Sequence, residues 1–376
     1  MFRYFPNNMI ESILMEILIL LCFAYACIYF FVWRGLKAIH HPLTEKQHSF
    51  SIIVAARNEE RTIDALLASL VNQQYPQEKF EIIFANDRST DETQSIAEKY
   101  SEKYSSVKIV SITENNTDMP NKKNALRQAI ASAKNEILAF TDADCIVPPT
   151  WLAEISKHFT DDVGVVAGYS PNKFAAEKPV FNTFLRYEEL KNSLWAAAGI
   201  GLNQAYMCTG RNFAYRKTVY TEVGGYEKIK HSISGDDDLF IQLVQREADW
   251  SVRYMTSLHS HVYTYPPQSF SQFVNQRIRH ISASRYYPIK MKIVFSIYHL
   301  FTISTLVALF FIPLSALIFL MVKFNFDALM IAKGKEIFSE EFSVIEFYRS
   351  ELLFILYSFG IGPLGIVKNF TWKGAQ

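Results

Sequence analysis

The run Ile17 to Trp33, ILILLCFAYACIYFFVW, carries no charge. At about 1.5 Å of rise per residue it is just long enough, with its flanks, to cross a hydrocarbon core of about 30 Å. Lipid offers the backbone no hydrogen-bond partners, so such a run folds as a helix that satisfies its own amides. Arg34 and Lys37 follow at once, then His40, His41 and Lys46. This basic flank assigns the segment after it to the cytoplasm. Ala24-Tyr25-Ala26 resembles a signal-peptide cleavage site, but Glu11 and Glu16 stand against Arg3 upstream, so the basic leader is missing. Residues 1–40 therefore read as an anchor. Apolar sequence returns over Ile293 to Val322 and Leu352 to Val367. Pro313 divides the first block, whose second half runs past Lys323 and Asp327 to about Ala332. Charges at that depth need a protein or interfacial environment. Residues 290–376 thus predict two or three spans, with Lys333 to Glu341 as a loop at the membrane face. The expected location is the inner (plasma) membrane, multi-pass, with the central region cytoplasmic.

A net charge of +1 leaves no basic field, so nucleic acid is not an expected partner. Of the four cysteines, Cys22 and Cys27 lie in the first apolar run, and Cys145 and Cys208 stand alone. No pair has zinc or disulfide spacing, which suits a reducing compartment.

From about His48 to Tyr287 the pattern alternates. Phe50 to Ala55 is a short apolar strand, followed by the polar turn ARNEE and a helix with Ile63, Leu66, Leu67 and Leu70 on one face. Phe80 to Ala85 is the next strand. NDRST then leads to a helix near Asp91, which Ser89 or Thr90 can cap. Val107 to Ile112, a helix over Lys122 to Ala133, and Ile137 to Thr141 continue the series. Strands alternating with helices predict an α/β fold with parallel pairing and helices on both sheet faces. Ligands of such sheets lie at the carboxyl ends of the strands. Those ends carry Arg57 and Glu59, then Asp87, then Asp142 and Asp144. No G-x-G-x-x-G or G-x-x-x-x-G-K is present, so dinucleotide and P-loop cradles are absent from the sequence. Asp142 and Asp144, two apart on an extended chain, share a side and suit a divalent metal that keeps positions for phosphate oxygens. A solvated loop pair is the plain alternative.

Gly235 to Phe240, GDDDLF, sets three acids at a helix start, more than a cap requires. Asn275 to His280, NQRIRH, puts Gln276, Arg279 and His280 on one helical face and Arg277 on another. A basic helix at lipid headgroups is its simpler reading. His259 and His261 have the spacing of one strand face, and Trp195 reads as core or interfacial.

In order, AARNEE, NDRSTDET, NKKNAL, TDADC, TGRNFAYRK, GDDDLF and QRIRH resemble the motifs of membrane-anchored family-2 glycosyltransferases, the group of polysaccharide synthases and ceramide glucosyltransferase. The resemblance covers Phe50 to Ser284. It implies the GT-A nucleotide-diphosphosugar transferase fold, with a mixed, mostly parallel sheet flanked by transmembrane helices. The catalytic domain would span 48–287, with a nucleotide-sugar half at 48–148 and an acceptor half at 149–287. It further implies that Ala55, Arg57 and Glu59 line the base and ribose, and that Asp87 holds the base, with a lean to uracil. Lys122 would meet the diphosphate. Asp142 would lie near ribose and metal, and Asp144 would bind Mg²⁺ or Mn²⁺. Gly210, Arg211 and Asn212 would border the acceptor. Gln276 and Arg279 would close over the diphosphate, with Arg277 of the same helix kept among the substrate-binding candidates. Asp237 or Asp236 would be the base. Phe240 as the apolar member of the motif favours Asp237, and Leu239 would favour Asp236. Two departures stand out: Asn121 replaces a usual Gly and His280 a usual Trp. The implied activity is inverting transfer from a nucleoside diphosphate sugar to a lipid-linked or membrane-associated glycan acceptor, with membrane lipids as surroundings. A processive polysaccharide synthase and a catalytically idle sugar-nucleotide scaffold are the alternatives.

Overall fold

A computed structural model describes residues 7–114, 118–174, 179–267 and 269–362. The chain begins with helix α1 (Asn7–Ala38). The alternating region then runs β1 (Phe50–Ala56), α2 (Ile63–Val71), β2 (Phe80–Asp87), α3 (Thr93–Lys103), β3 (Val107–Ile112), α4 (Asn121–Ser132) and β4 (Ile137–Phe140). It continues with β5 (Cys145–Ile146), α5 (Trp151–His158), β6 (Val163–Gly168), α6 (Pro179–Gly201), β7 (Phe213–Arg216) and α7 (Lys217–Glu222). Next come α8 (Asp238–Glu247), β8 (Ser251–Met255), β9 (Tyr263–Thr264) and α9 (Phe270–Ala283). Helices α10 (Ile289–Ala308), α11 (Pro313–Phe338) and α12 (Val344–Gly360) follow.

The main sheet has the order β3-β2-β1-β4-β7-β6-β8. Pairing is parallel except at β7, which runs antiparallel to both β4 and β6. β5 and β9 form a small antiparallel pair. β2 is buried at every position, as expected of a strand covered on both faces. Successive side chains serve opposite faces. Ile52 and Val54 join the α2 residues Ile63, Leu66, Leu67 and Leu70. Ile53 joins Ala125, Leu126 and Ala129 of α4. The predicted α/β architecture with helices on both faces is thus the observed one.

Three helices among the described residues are long and apolar enough to cross a membrane: Met9–Ala38, Ile289–Ala308 and Pro313–Phe338. Pro313 does divide the C-terminal block, as the first residue of α11. α12 covers the start of the second apolar block, whose residues 363–367 lie outside the described residues. The α1 and α6 backbones meet so closely that a Cβ on Gly35 would lie 2.2 Å from the Ala198 carbonyl oxygen. Small residues permit this approach between apolar helices.

Lys323 and Asp327 of α11 do have a protein environment. Lys323 Nζ is 2.6 Å from Asp327 and also donates to Glu351 of α12. Lys191 of α6 pairs with the same two acids, at 3.3 and 3.0 Å. Tyr25 and Tyr29 of α1 donate to Asp327, and Lys191 donates to Tyr298 of α10 at 2.8 Å. Two cations and two anions, all buried, thus tie five helices together with no net charge.

Three local expectations are corrected. Lys333 to Glu341 is not a loop, because α11 runs through Phe338. Lys333 pairs with Glu336 one turn on, Gly334 packs against Leu190 and Leu194, and the left-handed Ser339 ends the helix. Neither Ser89 nor Thr90 caps α3. Asp91 accepts from Thr93 N instead, and Ser89 Oγ is taken by Asn58 N. His259 lies in a short 3-10 turn and is not on a strand with His261. Trp195 is buried against Tyr29, Phe295 and Tyr298, as core.

Removing one member of the buried charge network leaves its partner uncompensated. Glu351→Ala is expected to destabilise the chain by about 3–5 kcal/mol. Lys323→Met with Asp327→Leu removes a pair and is expected to cost less than either single change. Unfolding midpoints in detergent measure both.

Candidate active site

The ends of β1 and β2 are bound into one rim. Asn58 N donates to Ser89 Oγ at 3.1 Å, and Thr90 N donates to Asn58 Oδ1 at 2.9 Å. Glu59 N donates to Thr93 Oγ1 at 2.7 Å, and Glu60 N to Asp91 Oδ2 at 3.2 Å. These bonds hold Asn58 and Arg88 left-handed, with φ of 54° and 53°. For residues with a Cβ that conformation costs about 1–2 kcal/mol and persists where surroundings over-determine it. Asp87, at the end of β2, is buried. Its Oδ1 accepts from Arg88 Nε at 2.8 Å, and its buried Oδ2 has no hydrogen-bond partner. Arg57 and Glu59 are half-buried on the β1 side of this rim.

A cleft opens beside it, lined among others by Ala55, Lys122, Asp142, Gly210, Asp236 and Asp237. Lys122, in the first turn of α4, spans the cleft. Its Nζ lies 3.1 Å from Asp142 Oδ1 and 2.9 Å from Asp236 Oδ2. Burial works against the ammonium, but Asp142, Asp236 and Asp237 outweigh it and hold its pKa above the usual value. Burial likewise pushes the Asp142 carboxyl up. Lys122, with Arg211 and Arg279 acting on the same carboxylate, brings it below the usual range. Three cations therefore converge on Asp142.

Asp144 follows two residues on, half-buried. Ala143 and Asp144 form a turn, closed by Cys145 N on Asp142 O at 3.2 Å, so the extended-chain argument for the pair does not hold in that form. The two carboxylates remain on one short loop beyond β4. Among the described residues no three His, Cys, Asp or Glu side chains group to enclose a metal. Two carboxylates on one loop are a hard-oxygen donor set of the kind Mg²⁺ or Mn²⁺ completes with phosphate oxygens and water. The residues fit such an ion.

The three acids of GDDDLF have three environments. Asp236 pairs with Lys122. Asp237 is the N-cap of α8: Oδ1 accepts from Asp238 N at 2.7 Å, and Oδ2 from Gly210 N at 2.8 Å. Burial and the Asp236 charge push its pKa up, and Lys122 with the two amides only partly offsets this. Asp238 accepts from Cys208 N at 2.9 Å and from Tyr287 Oη at 2.8 Å, and burial also raises its pKa. The loop bearing these acids is held by Lys123, whose buried Nζ donates to the carbonyls of Ile229, Ser232 and Ser234. Desolvation lowers the Lys123 pKa to about 8.

Some candidates are committed elsewhere. Asn212 is fully buried: its amide donates to the Tyr169 and Ser260 carbonyls and accepts from Trp151 Nε1. Arg277 is buried in an ion pair with Glu188 of α6 and touches Gln276 Oε1 at 3.1 Å. Arg211 pairs with Glu189 at 3.0 Å. Arg279 and Gln276 are half-buried, and His280 is exposed beside Arg279. Sequence reasoning missed Lys123, Glu188 and Glu189. The adjacent acids of YEEL, flanked by Arg186 and Lys191, were the available signal for the last two.

Residues 51–224 match the family described as Glycosyl transferase family 2. The chain is 27% identical over 247 residues to "Probable glycosyltransferase YdaM" of Bacillus subtilis, covering 64% of this chain and 56% of that protein. It is 30% identical over 200 residues to "Beta-monoglucosyldiacylglycerol synthase" of a Nostoc species, covering 51% of this chain and 40% of that protein. It thus spans about half the length of these relatives. Among solved structures, the mannosyltransferase PcManGT from Pyrobaculum calidifontis, in complex with GDP-Man and Mn²⁺, superposes with a TM-score of 0.56 at 19% identity. That match covers 87% of this chain and 100% of PcManGT, and shows the fold. The sheet order, the acid-bearing strand ends and the family match together show that residues 51–224 form a domain matching Glycosyl transferase family 2, built on the GT-A fold.

Proposed function

We propose that the chain is a membrane-bound inverting transferase that moves a sugar from a nucleoside diphosphate sugar to a lipid-linked or membrane-associated acceptor. The observation carrying this reading is the Lys122 ammonium held between Asp142 and Asp236, with Asp237 on the same cleft. The unpartnered Asp87 Oδ2 suits the ring N–H of a base such as uracil. Lys122 and Arg279 supply fixed positive charge for the diphosphate. Asp142 and Asp144 are the residues that would hold Mg²⁺ or Mn²⁺, which when bound adds charge for the leaving group. Asp237 takes the proton of the acceptor hydroxyl as its oxygen bonds to the anomeric carbon. The bond from that carbon to the diphosphate breaks, and a single displacement inverts the centre. The two amide donors fix the Asp237 carboxylate, and its raised pKa makes it a better base than a solvated carboxylate.

A panel of nucleoside diphosphate sugars, incubated with the full chain, Mn²⁺ and membrane lipid extract, tests this by nucleoside diphosphate release. One donor is expected to be consumed and its sugar to be added singly. Long polymer would favour the processive alternative, and no release from any donor would reject the enzyme reading. Asp237→Asn is expected to lower kcat by about 10²–10⁴-fold, and also to lower the unfolding midpoint, because Asn keeps only one of the two acceptors that Asp238 N and Gly210 N use. Rate must fall as pH drops through the Asp237 pKa. Since that pKa is raised, the acidic limb of the pH–rate profile lies above the ordinary carboxylate range. Arg279→Gln is expected to lower kcat/KM by about 10–100-fold through loss of one charged contact. Arg277→Gln instead leaves Glu188 buried and unpaired, and is expected to cost about 3–5 kcal/mol of stability.

A further inference from the structure

A second concavity lies outside the cleft and shares no lining residue with it. Its volume is about 590 Å³. Its walls are apolar: Ile28 and Val32 from α1, Ala198 and Leu202 at the end of α6, Met291 and Val294 from α10. Two of the helices that form it are long enough to span a membrane, and their flanks expose Phe31 and Ile293. The groove sits where α10 begins, just after Pro288, with the exposed Tyr286 at its edge. Aromatic rings at the end of a span mark headgroup depth. Lys290 and Arg246 also line it, both exposed, Arg246 beside Glu247 at 2.8 Å, so that Lys290 is the cation there complementary to anionic headgroups. Gln242 and Gln245 are used internally, on Tyr206 O and Ala205 N, and so shape the wall.

The groove is joined to the site by one loop. Leu202 to Tyr206 forms its wall, and four residues later Gly210 donates to Asp237. The Tyr206 ring is 5.7 Å from that of Tyr287, whose hydroxyl donates to Asp238. Tyr206 is 2% exposed, and its hydroxyl is buried without a hydrogen-bond partner. A buried, unpaired hydroxyl on a groove wall is a costly feature unless a ligand uses it.

We propose that this groove seats the apolar chain of a membrane lipid that is the acceptor, admitted sideways from the bilayer so that its headgroup hydroxyl reaches Asp237. The inference rests on the transferase reading above and adds the acceptor class and its path. Apolar walls bind the chain by burial, and Lys290 at the edge keeps the groove at the headgroup layer.

The test uses the full chain in vesicles of membrane lipid extract, with labelled donor sugar and Mn²⁺. Label is followed into the organic phase, and nucleoside diphosphate release is followed separately. Met291→Trp and Val294→Trp narrow the groove. Both are expected to cut organic-phase label at least tenfold at limiting extract and to recover at saturating extract, a KM effect. Leu300→Trp, on the exposed face of α10 away from the groove, is expected to match the wild type. Unchanged transfer in both groove variants overturns the proposal. So does diphosphate release with no label in the organic phase, which leaves the transferase reading standing. Dimer formation by Val294→Cys under oxidation would show a second copy in the groove, and also overturns it.

Discussion

The Lys122 ammonium joins the two halves of the site. Asp142 reaches it from the end of β4, and Asp236 from the loop before α8, 94 residues later in the chain (236 − 142). A buried cation between two carboxylates is tolerable only with good geometry on both sides, so the loop carrying Asp236 must be held accurately. The next residue does that. Lys123 anchors three carbonyls of the same loop. Consecutive helical side chains diverge by about 100°, which lets one lysine face the cleft while its neighbour holds the cleft's far wall. The position of Asp237 is therefore a consequence of α4.

Helix α6 transmits this geometry to the apolar helices. Glu188 pairs with Arg277 of α9, Glu189 with Arg211 beside the cleft, and Lys191 with the acids of α11 and α12. One turn of a single helix thus fixes the helix that carries Arg279, the loop that carries Gly210, and the C-terminal helices. The Glu188 and Lys191 pairs are buried and the Glu189 pair half-buried, where screening by salt is weak and a missing partner is expensive. The rigid relation between site and apolar helices follows from charges that have no other place to go.

This also explains what the sequence could and could not convey. The strands, α2 and α4 were legible because burial on one or both faces imposes a period that composition reveals, as in FSIIVA and FEIIFA. The converging acids were legible because parallel strands all end at one edge. The commitment of Asn212 and Arg277 to buried partners was not. Their partners, Trp151 and Glu188, are far away in sequence, and a pair across such a distance leaves no periodic trace. The cap of α3 was misread for a related reason: Ser89 had the right residue type, but the β1 loop took it first through Asn58. The stretch after Ala332 was misread because polarity was weighed above helix propensity, which Lys333, Lys335 and Glu336 favour.

GDDDLF posed a choice between a helix cap and a base, and under the proposed function Asp237 serves as both. Asp237 is the cap of α8, and the two backbone amides that make it one also fix its carboxylate toward the cleft. Those amides favour the charged form, while burial and Asp236 oppose it, and the second pair prevails. Asp236 is neutralised by Lys122 and Asp238 is tied to Tyr287 and Cys208 N, so neither competes for the role. Three identical side chains in a row are thereby given three tasks by their surroundings, the way paired carboxylates acquire separate acid and base roles in other enzymes. A helix N-terminus is well suited to this, because the cap residue must be held rigidly and its spare lone pairs point away from the helix it begins.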